Sequence, residues 1–529
     1  MNWMKNLPWG KMVRIAAGVM TNLWAFLMLA VFPLYAPNRY FGLGDRKFEF
    51  FLWCSVLCLI PALLFLILQF VLGKKCHLST MDRAVLFYAA AQLLSFLCSG
   101  YKQDAWVGAR GWYMGLRTQL LMAAAYFCLS RVRIFWKGIL MALGTGFGAV
   151  CLLGILHRFR IDPLGMYEGI SEGYYLQFLS TIGQATWLSG YLCVLLTVCG
   201  AFFLFSRSLL CRLLAGLGCI LGFGALVTQN SDSAFPALGI LVLGLFVGSC
   251  GSMAYTERFL EWLILLTGSF KIIGLLQQIF PEQALELGSL SVFLSQSLFI
   301  WLALLAALVC YVIFLWVRMK CPEKVGFCSG TRAAKAAGVL VAAAGGGYAL
   351  LVWLNTTRRL GIQLQHNYLL FDDSWGSYRG IIWKTAVQLT GRTNLLQKLV
   401  GVGPDCFWHI CYEAPELSGL IRFYFGENQL LSNAHNEFLN MLICGGLLGL
   451  LALLWLMTAA VKRFGCIPGT EASGSYEVDP VVAAGGLAVL VYSAHNFFCY
   501  QQVCCTPFLF LLLGLAENRL RHQKNGIHN

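Results

Sequence analysis

Residues 292–317 read VFLSQSLFIWLALLAALVCYVIFLWV, a run with no Asp, Glu, Lys or Arg. A helix rises 1.5 Å per residue, so a run of this length crosses the roughly 30 Å hydrocarbon core of a bilayer. One such run could be an anchor or a leader, but the chain repeats it. Further candidates lie at about 13–35, 49–72, 84–99, 114–130, 138–156, 184–206, 209–228, 235–251, 259–279, 336–354, 436–461, 481–498 and 502–517. The first has no small-residue cleavage site soon after it and reads as a retained helix. Lys271 interrupts 259–279, the weakest of these candidates, whose alternative reading is an interfacial helix. Only 12% of the 529 residues are charged and 59% are hydrophobic, against about 25% charged in a soluble domain. The expected fold is an all-α polytopic membrane protein with about 14 (12–14) transmembrane helices.

The formal charge is 38 − 24 = +14. In a soluble chain this would suggest nucleic acid, but no basic helix or aromatic platform supports that partner. Lys and Arg instead collect in alternate connecting segments. Lys5, Lys11, Arg14, Lys74, Lys75, Arg131, Arg133, Lys324, Lys462, Arg463, Arg519 and Arg521 share one side with others like them. The short segments of the other side hold Arg39, Arg46, Lys47, Lys102, Arg110, Arg158 and Arg160. Basic loops face the cytoplasm, so both termini are expected inside a cytoplasmic membrane. Most of the 21 cysteines sit in apolar runs as small hydrophobes. No C-x-x-C pair points to zinc, and no metal or cofactor is expected. Cys406 and Cys411 share one outer segment, and their pairing stays open.

Residues 355–434 carry no spanning segment, and long loops of this kind are often functional. The expected division is an N-terminal bundle of about 11 helices at 1–354, an extracytoplasmic loop at 355–434, and C-terminal helices with a cytoplasmic tail at 435–529. Within the loop, Gly380 to Leu399 (GIIWKTAVQLTGRTNLLQKL) reads as an amphipathic helix, with Ile382, Ala386 and Leu389 on one face. Gly401-Val-Gly-Pro404 then breaks it. The loop leads into Ser432-Asn-Ala-His435-Asn436. Ser432 or Asn433 would cap the next helix, placing His435 in its first turn. The positive helix end disfavours imidazolium, leaving His435 neutral and able to accept a proton. Gly446 and Gly449, about one turn apart, would let another helix approach closely.

His435-Asn436, nine residues, then Gly446-x-x-Gly449 resembles the H-[NSQ]-x9-G-x-x-G signature of the bacterial O-antigen ligase and polymerase family. His366-Asn367 and His495-Asn496 lack the glycine pair at that offset, and His528-Asn529 ends the sequence. With 55 glycines in 529 residues, two fixed offsets are met by chance about 1% of the time. The setting is similar too. A long outer loop precedes the signature helix, and it carries Trp375-Gly-Ser-Tyr-Arg379-Gly-x-x-Trp383 and Leu399-Val-Gly401-Val-Gly403-Pro-Asp-x-Phe407. Ser180-Thr-Ile-Gly183 and Trp106-Val-Gly-Ala-Arg110-Gly111 resemble the family's weaker outer-loop motifs. One departure is visible: Thr228-Gln-Asn-Ser231-Asp232-Ser233 has Asp232 where family members often carry arginine.

The resemblance implies a metal-independent glycosyltransferase of the bacterial cytoplasmic membrane. Its donor would be a glycan on a polyprenyl diphosphate, undecaprenyl diphosphate being typical. Its acceptor would be a hydroxyl on a lipid, a polysaccharide or a protein. His435 would be the general base. Arg379 would stabilise the departing diphosphate, with Arg110 as a second phosphate contact and Asn436 holding local geometry. A polyprenyl tail must stay in lipid, so a cleft beneath the loop is expected. The competing reading is a transporter or lipid-linked glycan flippase, against which stands the lack of an obvious inverted repeat.

Overall fold

The computed structural model describes residues 8–71, 77–321, 326, 329–427, 430–465 and 477–526. Lys5, Lys74, Lys75, Lys324, most of the polar connector after Pro468, and His528-Asn529 lie outside them. In hydrocarbon every backbone N–H and C=O must be satisfied within the segment, which long apolar runs achieve as helices. Each candidate segment is accordingly helical, and the only strands among the described residues are Phe178–Leu179 and Gly183–Gln184. Ten helices among the described residues are long and apolar enough to cross a membrane. Leu116–Leu129, Ala234–Ser249 and Pro480–Asn496 are apolar but shorter. Thr506–Gly526 closes the described chain.

The bundle is built around Ala185–Phe205. Of its apolar window, 94% is buried, against 17% for Leu298–Lys320 and none for Gly330–Thr356. The two outlying helices expose Leu298, Leu305, Trp316 and Val339. Apolar surface of that extent has no place in water and fits a multi-pass membrane protein.

Local chemistry corrects the expected boundaries. The 292–317 run is two helices, Ser289–Gln296 and Leu298–Lys320. Ser295 Oγ and Ser297 Oγ bond the carbonyls of Ser291 and Phe293, diverting the backbone where the run is polar. The doubtful 259–279 segment is one helix, Met253–Ile279, whose interrupting Lys271 is buried with Nζ 4.7 Å from the Trp301 ring centroid. Lys47 is no loop residue. It lies in Leu43–Cys54, fully buried, and donates to the carbonyls of Phe32, Pro33 and Tyr35, where the preceding helix ends. The Gly380–Leu399 helix runs instead over Trp375–Arg392 and stops before Asn394, which caps a separate short helix, Leu395–Val400.

Candidate functional site

The 355–434 segment forms a small body with its own core. Ile382, Ala386 and Leu389 of helix Trp375–Arg392 pack with Phe407, Cys411 and Ile421 of the short helices that follow. Ala105 and Ile443 of the bundle belong to the same cluster, so the loop is docked. The seam is made by the two glycine motifs. The signature helix breaks between Glu437–Cys444 and Gly446–Phe464, which opens backbone carbonyls at the break. Val402 N donates to Ile443 O at 3.1 Å and Gly403 N to Cys444 O at 3.1 Å. From the other side, Ser95 Oγ bonds Cys444 O and Ser99 Oγ bonds Val402 O, at 2.7 and 2.6 Å.

The two signature glycines meet different neighbours at this seam. Gly446 has φ +65°, and a Cβ there would stand 2.4 Å from Gly401 N. The backbone it admits is that of Leu399 and Gly401, at the end of the short loop helix Leu395–Val400. The three atoms nearest a Cβ on Gly449 all belong to Met441, the closest its sulphur at 3.3 Å. Asp405 completes the seam by accepting from Ala109 N and Met114 N at 2.8 and 3.0 Å. Burial pushes its carboxyl up to about 7.

His435 is not in a helical first turn. Asn436 is the N-cap of Glu437–Cys444, its Oδ1 accepting from Phe438 N and Leu439 N. His435 precedes the cap with φ +46°, in the left-handed region that histidine enters more readily than most residues. Its backbone N–H donates to Asn433 Oδ1, and its half-buried ring meets Tyr500 edge-on at 4.9 Å. No hydrogen bond from the described residues reaches either ring nitrogen. Burial, and then the Arg379 charge, push its pKa down to about 3. The expected neutrality thus has a different cause from the helix end first invoked.

Arg379 leaves a kink of three successive left-handed residues, Gly376, Ser377 and Tyr378, with φ of 58°, 60° and 67°. Asn367 Oδ1 holds the kink by accepting from Gly376 N. Two non-glycine residues there cost roughly 1–2 kcal/mol each, the kind of strain that clusters at functional sites. Arg379 Nε donates to Phe498 O at 2.9 Å and Nη1 to Gly376 O at 2.6 Å, while Nη2 takes no bond from the described residues. Asn436 Nδ2 donates to the neighbouring Phe497 O at 2.9 Å. The single turn from His495 to Tyr500 therefore holds Arg379, Asn436 and His435 together.

Arg110 is elsewhere. Its side chain is 85% exposed and paired with Asp45 at 2.9 Å. The flanking motif still reaches the site, because Trp112 bonds Ser432 Oγ and packs on Tyr500. Ser180-Thr-Ile-Gly183 is a pinning turn, bonding Val150 O and Pro33 O through its two hydroxyls. Asp232 accepts from Tyr368, whose hydroxyl also lies within reach of the Arg379 charge. Cys406 and Cys411 are buried free thiols.

Sequence reasoning missed His495, which served only as a comparison. It is fully buried, with Nε2 at 2.7 Å from Ser189 Oγ and 3.3 Å from Ser233 Oγ, and Nδ1 at 2.7 Å from Asn496 Oδ1. Asn496 Nδ2 in turn faces Glu437 at 3.4 Å. Only the repeated His-Asn dipeptide could have flagged it. Buried polar atoms without protein partners also gather here: Tyr500 Oη, Thr186 Oγ1, Gln502 Oε1 and Glu437 Oε1. The space enclosed by Asn433, Glu437, Tyr500 and their neighbours measures about 20 Å³. That is room for one water, and neither His435 nor Arg379 lines it. Among the described residues no three His, Cys, Asp or Glu side chains converge on one point. Compared with known proteins, the chain matches no protein-family model and no curated relative.

Proposed function

We propose that this chain is a multi-pass membrane glycosyltransferase of the O-antigen ligase and polymerase type, acting at the outer face of a bacterial cytoplasmic membrane. One observation carries the reading. A neutral imidazole and a guanidinium with a free donor are held on one turn, at the seam between a polar loop body and an apolar bundle. In this reading the helical segments, about fourteen in all, cross the bilayer with both termini inside, as the Lys/Arg bias favours.

The chemistry follows from the two groups. The acceptor hydroxyl gives its proton to a ring nitrogen of His435 while its oxygen attacks the anomeric carbon. The bond from that carbon to the diphosphate breaks, and the electron pair leaves on the phosphate oxygen. In this reading Arg379 Nη2 bonds that oxygen as its charge grows. Donor binding also tunes the base. The Arg379 charge is one of the two forces that hold His435 near 3, and a diphosphate on Arg379 offsets it, so basicity rises when the donor is in place. Asp232 stands where a second arginine would add binding, so the reading leaves the diphosphate with Arg379 alone at this end of the site.

The test is transfer by purified protein reconstituted with a polyprenyl-diphosphate glycan and, in turn, a lipid, a polysaccharide and a protein acceptor. Glycosylated acceptor with equal release of polyprenyl diphosphate is expected from one of them. Movement of intact donor across the membrane without transfer would replace this reading with a flippase.

A further inference from the structure

A second site lies at the far end of helix Leu116–Leu129, about 20 Å from the Trp112 turn at 1.5 Å per residue. An open groove of about 950 Å³ runs there between helix Pro8–Phe26, the end of Ile60–Val71 and the turn Arg131–Phe135. Lys11, Arg14, Arg131 and Arg133 line it, and among the described residues no carboxylate does. Apart from Asn22 and Gln69, its remaining wall is apolar. Ile15, Val19 and Phe135 are each more than half exposed along it, and Leu66 forms part of the floor.

The groove is built, not merely a place where basic side chains drift. Asn22 Nδ2 donates to Arg133 O at 2.8 Å, and Phe135 N donates to Asn22 Oδ1 at 2.7 Å. Asn518 Nδ2 holds the same turn through Leu129 O and Val132 O. The turn is thereby fastened to two helices, and Arg133 projects from a fixed backbone. Arg131 is committed to Asp82 at 3.2 Å. Lys11 and Arg133 are exposed and have no carboxylate partner among the described residues. Gln69 adds a buried donor, Nε2, without a partner.

We propose that this groove binds an anionic phospholipid. Its phosphate would be held by Lys11, Arg133 and Gln69, and its acyl chains would lie along Ile15, Val19, Leu66 and Phe135. Two features select that ligand. Cations without counter-charge draw an anionic headgroup, and apolar walls continuous with them suit a molecule that is anionic at one end and hydrocarbon at the other. A free phosphate would leave those walls unused.

The experiment uses the purified, delipidated full chain and reads its melting temperature with phosphatidylglycerol, phosphatidylcholine or inorganic phosphate, because a ligand of the folded state raises it. Phosphatidylglycerol is expected to raise it by several degrees and the other two by far less. Lys11→Gln with Arg133→Gln should remove most of the shift. Leu66→Trp, which fills the floor and leaves every charge in place, should reduce it too and serves if the double variant does not fold. Equal shifts from both lipids, a phosphate shift as large as the lipid's, or an undiminished response in these variants would overturn the proposal. No transfer reaction enters the measurement, so it stands apart from the proposed activity.

Discussion

His435 carries a sign that can be checked. Its pKa is lowered from 6.5 to about 3, by burial and then by Arg379, so the basic form is present at every pH above about 3. Donor-free enzyme governs kcat/KM, which should therefore show no loss through this group between about pH 8 and 5. A fall centred near 6.5 would mean that His435 titrates as an ordinary exposed imidazole. At Arg379, substitution by Lys should lower the rate by about 10²–10³, because one ammonium does not keep the Phe498 carbonyl and also face the diphosphate. An unchanged kcat/KM for Arg379→Lys would mark it as a solvated loop residue. His495 is the third case. It holds the end of helix Pro480–Asn496 against Ser189 and Ser233, and the carbonyls it steadies belong to the turn that bonds Asn436 and Arg379. His495→Ala should slow transfer by up to about 10², the effect of a 1 Å misplacement, with His495→Gln closer to wild type. Full activity in His495→Ala would remove the turn from the site. His435 was legible because its neighbours in the motif are neighbours in the chain. His495 was not, because Ser189 and Ser233 lie 306 and 262 residues away in sequence.

At the scale of elements, the two signature glycines should behave differently. Gly446 has a left-handed backbone, and an added Cβ would meet Gly401 N at 2.4 Å. Gly446→Ala should undock the loop and lower thermal stability by several kcal/mol, beyond the roughly 1–2 kcal/mol of the backbone alone. A Cβ on Gly449 meets the Met441 sulphur at 3.3 Å, a flexible neighbour that can yield, so Gly449→Ala should be mild. Comparable losses from both would mean that Gly449 is as closely packed as Gly446. Spacing picked out the glycine pair, but not that the helix breaks just before Gly446, since that depends on carbonyls exposed to Val402 and Gly403. Asp405 offers a second check on the same seam. Burial raises its pKa from 3.8 to about 7. The folded protein therefore holds a proton that the unfolded chain has lost between about pH 4 and 7, and stability falls as pH rises through that window. Asp405→Asn keeps an acceptor for Ala109 and Met114 and should flatten melting temperature across that window. The same slope in the variant would clear Asp405 of it.

At the scale of the molecule, the apolar runs were legible because length and hydrocarbon thickness leave them one solution. Their interruptions were not, because they depend on partners distant in the chain, as with Lys271 over Trp301 and Lys47 beneath Pro33. Leu395 is 84% exposed on the loop body. A cysteine placed there on a cysteine-free background should react with an impermeant reagent in intact cells, and reaction only after permeabilisation would invert the orientation. The central measurement is glycan transfer by purified protein from a polyprenyl-diphosphate donor, compared among wild type, His435→Ala and His366→Ala. His366 is exposed and lies outside the turn that gathers the site. Wild type and His366→Ala should release one polyprenyl diphosphate per glycan joined, and His435→Ala should be slower by about 10²–10⁴ with its helix content intact. Equal rates in all three, or no transfer by wild type to any acceptor, would contradict it.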